Sequence, residues 1–121
     1  MNTLEILLNG ENTILPEKEF AIKRLSEAYK QPVVFRLRAL PYNRVSEITK
    51  MQADDMNVHI VLAGTLEPNL KDGNLLEKYN APTPAEMIKK LLLPGEIEDL
   101  SREIEKLSGY RKITVEEIKK K

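Results

Sequence analysis

Apolar residues recur along this chain with two different periods, and the change between them organises the sequence. Leu4, Leu7 and Leu8 stand at helical spacing and Asn9-Gly10 closes the pattern, which predicts a short helix before Pro16 restarts the chain. The run Pro32-Val33-Val34-Phe35-Arg36-Leu37-Arg38 is β-branched and aromatic, then alternates apolar with basic, so a strand with one wet face is expected over 33–39. Glu19-Phe20-Ala21-Ile22-Lys23-Arg24 also alternates and offers a hairpin partner across a loop near Tyr29-Lys30-Gln31. Ala21, Leu25 and Ala28 give the same stretch a helical period. The hairpin is favoured because a lone strand would leave its backbone groups unpaired.

From Pro41 onward the spacing is helical. Pro41 suits a first helical turn, and Tyr42, Val45, Ile48 and then Met51 or Gln52 continue one face. Asp54-Asp55 restarts the chain into a helix from Met56 to Leu66, with Gly64 and Pro68 marking its end. Asp72 is placed to cap a short helix through Tyr79. Thr83-Pro84-Ala85-Glu86 joins a capping hydroxyl, a first-turn proline and a glutamate able to reach back, opening a helix with Met87, Ile88, Leu91 and Leu92 on one side. Pro94 ends that helix and starts another, in which Ile97, Leu100, Ile104 and Leu107 form a 3-4 seam ended by Ser108-Gly109. Thr114-Val115-Glu116-Glu117 reads as a second capping box. The expected fold is α+β, mainly α, with a small β-hairpin followed by a bundle of short helices. It forms one domain over 1–121, with an N-terminal arm at 1–18 and a C-terminal tail helix at 111–121.

Composition narrows the function. The 121 residues hold 19 Lys+Arg against 19 Asp+Glu, and each half of the chain balances as well. Proteins that hold nucleic acid or an anionic membrane usually carry a basic stripe, so neither partner is expected. With no Cys, disulfides, thiol nucleophiles and cysteine–zinc sites are all excluded, which fits a reducing cytoplasm. Apolar runs such as Leu91-Leu92-Leu93 fall far short of the ~20 residues a membrane span needs. Met1 to Gly10 has no basic region in front of its apolar patch, so a signal peptide is not expected.

The search for chemistry yields little. A single histidine, His59, excludes HExxH and His-rich zinc sites, and no serine sits in a G-x-S-x-G turn. Asp54-Asp55 near His59 could form a metal cluster, but adjacent acids diverge and a helix N-terminus attracts carboxylates in any case. The chain has no phosphate-binding glycine motif, and Glu96 would repel an anion from the helix start at Pro94-Gly95. Arg36 and Arg38 faintly echo an RNA-binding sheet, yet Phe35 falls on the opposite face. No enzyme, cofactor or metal site is expected. Residues 96–105 are acidic and residues 106–121 basic, which complements a helix dipole. The seam has coiled-coil spacing over less than two heptads, so packing within the chain is the default and docking of a partner helix the second reading.

The stretch from Tyr79 to Tyr110 is more specific. Tyr79-Asn80-Ala81-Pro82-Thr83-Pro84-Ala85-Glu86-Met87, then Leu93-Pro94-Gly95-Glu96-Ile97, Leu100, and Leu107-Ser108-Gly109-Tyr110 resemble the tail assembly chaperones of myovirus-type phages and phage-like prophage elements of Gram-positive bacteria. The strand Val34 to Leu40 and the loop Thr65 to Asp72 extend the resemblance over about residues 19–110. In place of Pro41 the family pattern has Thr or Ser, and Arg111-Lys112 stand where an acidic stretch is expected. The resemblance implies a non-enzymatic chaperone in the bacterial host cytoplasm, binding and solubilising the tape measure protein until tube subunits replace it. It also implies a longer, frameshifted product that recruits the tail tube protein. The alternative is a structural role in the finished tail or baseplate, and weak self-association is a further partner expectation. The expected core-plus-docking set is Met87, Leu91, Leu92, Ile97, Leu100, Ile104 and Leu107.

Overall fold

The alternating strand sits at the centre of the fold. A computed structural model describes residues 2–11, 14–51 and 55–119. Among these, seven helices and three strands follow the order α1 (Thr3–Asn9), β1 (Glu17–Ala21), α2 (Lys23–Tyr29), β2 (Val34–Arg38), α3 (Tyr42–Lys50), α4 (Met56–Gly64), β3 (Thr65–Glu67), α5 (Gly73–Lys78), α6 (Pro84–Leu91) and α7 (Pro94–Leu107). The fold is α+β and mainly α. β2 lies between β1 and β3, antiparallel to both. Phe35 and Leu37 point into the core, while Arg36 and Arg38 keep the partly wet face.

The expected hairpin forms, with Glu19 opposite Arg36 and Phe20 opposite Phe35. Its connection differs from a loop near Tyr29. β1 stops at Ala21 and the chain winds at once into α2, so Lys23 and Arg24 are helical rather than extended. Both periods noted in this stretch are therefore present, one after the other. The helix buries Leu25 against the core, and the Ser26 hydroxyl accepts a hydrogen bond from the Val33 amide at 2.9 Å, fixing where β2 begins.

β3 corrects the expectation of a helix from Met56 to Leu66. The helix ends at Gly64, where the Thr65 hydroxyl donates to the Val61 carbonyl at 2.6 Å. Thr65 and Glu67 then pair with Leu37 and Arg36. The second edge of β2 would otherwise carry unpaired amides beside the core. A three-residue strand is too short to leave a period in the sequence. Pro41 is another adjustment: it stands as the residue before α3, not inside its first turn. On α3, Ile48 is buried and Val45 half-buried, whereas Tyr42 and Met51 are exposed. Gln52 and Asp54 lie outside the described residues.

The capping signals fared better. Asp72 accepts hydrogen bonds from the amides of Asn74 and Leu75, opening α5. The Thr83 hydroxyl accepts from the Glu86 amide at the start of α6, and Pro84 takes the first helical turn. The capping box at Thr114, however, opens no helix: residues 113–119 are irregular. Isolated helices below ~12–15 residues are marginal in water, and Ile113, Val115 and Ile118 find nothing to pack against. Lys120 and Lys121 are outside the described residues.

The core lies between the sheet and the pair α4 and α7. Its most demanding contact is at Gly64, where an added Cβ would meet Cδ1, Cγ2 and Cγ1 of Ile104 at 2.6, 2.7 and 2.9 Å. Ile104 is fully buried, and with all three approaches under 3.0 Å its side chain would have to shift. Overpacking typically costs about 1–3 kcal/mol, which exceeds the roughly 1 kcal/mol that alanine gains over glycine in helix propensity. Gly64→Ala is therefore expected to destabilise the protein in urea unfolding. Ile104→Ala should cost about 2–5 kcal/mol. The double variant should lose less than the two costs combined, because the second truncation vacates the space the first requires. Strictly additive losses would place the two residues out of contact.

Candidate functional site

The seven residues singled out in the last two strong helices are brought together, and they face inward. Met87, Leu92, Ile97, Leu100 and Ile104 are buried, while Leu91 and Leu107 are half-buried. α6 places Met87 and Ile88 against α4, and α7 lies on α4 and β2. The 3-4 seam of α7 is thus spent on the domain's own core. The buried Ser101 hydroxyl donates to Asn57 Oδ1 of α4 at 3.0 Å, adding a polar tie to the same face.

The junction between α6 and α7 is held by a group of atoms that the sequence disguised. Glu96 accepts from the Leu93 amide at 2.7 Å through Oε1, closing the first turn of α7. Arg24 from α2 then grips the same carboxylate with two bonds, Nε to Oε2 at 3.0 Å and Nη2 to Oε1 at 2.9 Å. Its Nη2 also donates to the Leu91 carbonyl at 3.0 Å, satisfying one of the free acceptors at the end of α6. The fork lowers the Glu96 pKa below the ordinary carboxylate range, despite some loss of hydration, and the carboxylate raises that of Arg24. Sequence spacing of 72 residues gave no sign of this pair.

The other candidate chemistry disperses. Asp55 pairs with Lys89 of α6 at 2.6 Å, and His59 is half-buried on α4. No group of three His, Cys, Asp or Glu gathers among the described residues. Arg36 lies between Glu17 of β1 at 3.7 Å and Glu67 of β3 at 3.4 Å, so its face carries a cross-strand ion ladder. No helix among the described residues is long and apolar enough to cross a membrane.

What remains apolar and uncovered lies elsewhere. α1 buries none of its residues, and Leu4, Ile6, Leu7 and Leu8 are 55–74% exposed. Ile113, Val115 and Ile118 of the irregular tail are 76–92% exposed. Between α3, α4 and the end of α7 lies a cleft of about 180 Å³ lined by Val45, Ile48, Met56, Ile60 and Tyr110. A seven-residue helix cannot sustain itself by backbone bonds alone. Its leucine face was visible in the sequence, but nothing there distinguished an uncovered face from a packed one.

The phage XkdN-like tail assembly chaperone family matches residues 4–120, a longer span than the 19–110 expected, and takes in α1 and most of the tail. No curated protein matches the chain. The crystal structure of the protein YqbN has a similar fold, with a TM-score of 0.72 at 23% identity, covering 91% of this chain and 98% of that one.

One variant separates core from surface. Leu100→Glu should lose several kcal/mol of stability, because it leaves an unpaired charge in a buried place, and its binding defects should follow from unfolding. An unchanged melting temperature would make the seam an exposed docking face instead. Acid titration tests the α6–α7 junction. The stabilisation by Glu96 is complete above the ordinary glutamate pKa of about 4.3, and is lost as the pH falls from there through the depressed folded value. The stability gap between the parent and Glu96→Gln should accordingly be constant from pH 5 to 7 and close on acidification. A gap that persists at pH 2 would show that the charge is not what matters.

Proposed function

The chain belongs to the phage XkdN-like family of tail assembly chaperones, and from that membership we propose that it binds and solubilises the tape measure protein during tail morphogenesis. It acts in the host cytoplasm, without catalysis, and leaves before the tail is finished. The observation that carries this reading is the family match over nearly the whole chain. The surfaces described above support it physically. A long apolar helix without a partner aggregates, and a small neutral domain can cover it by lending its own uncovered apolar side chains. α1 and the tail after α7 offer such side chains without drawing on the core.

The longer product expected from the family is part of the proposal: a frameshift would add a segment that recruits the tail tube protein. The gene's nucleotide sequence tests it, since the absence of any overlapping reading frame would end the idea.

Co-expression with the tape measure protein is the direct test. The two should co-purify, and mass spectrometry of finished particles should not find this chain. Its presence in particles would make it a structural tail or baseplate component. The double variant Leu7→Ser/Leu8→Ser should weaken co-purification while changing folding stability by no more than about 0.5 kcal/mol, as exposed positions usually do. Equal capture by parent and variant would remove α1 from the docking surface.

A further inference from the structure

A cleft with basic side chains at its mouth lies apart from the apolar surfaces above. It is formed where β2, the start of α3, the end of α4 and the loop after β3 meet, has a volume of about 310 Å³, and is lined by Arg38, Arg44 and Lys71 with Thr65 and Asn69, over an apolar floor that includes the core residue Leu70. Its lining includes no acidic side chain. Arg44 is held from outside by Glu47 at 2.9 Å on the exposed surface of α3. Arg38 is different. Glu17 stands opposite it in the strand register, but the Glu17 and Glu67 carboxylates both lie against Arg36 instead. Among the described residues Arg38 has no ion-pair partner; its buried Nε–H has no acceptor, which is equally true of the Arg36 Nε–H. Cations that share one cleft repel one another, and that cost falls when an anion enters.

We propose that this cleft binds a carboxylate supplied by an acidic side chain of a protein partner. A guanidinium fork takes a carboxylate through two parallel bonds, and lysine adds a mobile point charge. The charge pattern favours protein over nucleic acid: three cations in a pocket on a chain of zero net charge make a point contact, not a stripe that follows a phosphate backbone. The source of the carboxylate rests on the reading that the chain docks on another protein. The existence of the site does not. Its role would be to fix the register of a partner whose affinity comes from the apolar surfaces, as charged contacts do at many interfaces.

The test is a titration of the ¹⁵N-labelled full chain followed by NMR, with tetraglutamate in one arm and inorganic phosphate in the other, at constant ionic strength. Tetraglutamate should produce a saturable shift of the Arg38 Nε–Hε signal and of the amides of Asn69, Leu70 and Lys71. The apparent affinity should fall as salt rises. Lys71→Glu changes only an exposed loop residue, so its spectrum should otherwise match the parent, and it should weaken tetraglutamate binding at least tenfold. No saturable shift at these residues, or an equal response in Lys71→Glu, overturns the site. Tighter binding of phosphate than of tetraglutamate overturns the carboxylate. If the site fails while the parent chain still co-purifies with the tape measure protein, the proposed function stands without it.

Discussion

The close approach of α7 to α4 at Gly64 and Ile104 is the constraint on which the rest of the structure depends. Only a residue without a Cβ lets the two helices meet there. The glycine is also the last residue of its helix, so the approach fixes where the chain turns into β3 and completes the sheet. One turn further along α7, the Ser108 hydroxyl donates to the Ile104 carbonyl at 2.8 Å and accepts from the Leu40 amide at 2.9 Å. The same segment of α7 thereby anchors the far end of β2. Helix, sheet and core are registered against one another through a few residues on either side of Ile104.

That arrangement divides the labour of the apolar residues. The seam of α7 has coiled-coil spacing, yet it and the apolar face of α6 are used up inside the domain, with the Arg24–Glu96 fork clamping the junction between the two helices. Uncovered apolar side chains stand on α1, at Ile14 and Tyr42, and beyond Tyr110, at the periphery of the packed core. A chaperone built this way can engage an apolar partner without opening its own core. Its stability and its docking can then vary independently.

Much of this was legible in the sequence wherever a local chemical signal decided the outcome. Asp72, Thr83 and the prolines at 84 and 94 each mark a helix start because a cap or a fixed φ acts on its own few residues. Phe35 and Leu37 announced the inner face of β2 by alternation alone. The misses share a different cause. β3 exists because β2 had an unpaired edge, the strand at Glu19 gives way to helix at Lys23 rather than running on because Leu25 had a place in the core, and the tail helix at Thr114 is missing because no surface receives it. Each was decided by what lay nearby in space. The seam of α7 illustrates the limit most clearly, since a stripe such as Ile97, Leu100, Ile104 and Leu107 looks the same whether it faces its own domain or a partner. The family resemblance supplied a function that periodicity could not.

Hydrogen exchange, read by mass spectrometry on the free chain and on the chain bound to the tape measure protein, tests the division between core and docking surface most directly. In the free chain, α7 should already be among the most protected segments, and residues 3–9 and 113–119 among the least. Binding should add protection to those two peripheral segments and leave α7 nearly unchanged. Protection gained chiefly over residues 97–107 would contradict the account, because it would mean that the seam opens to receive the partner.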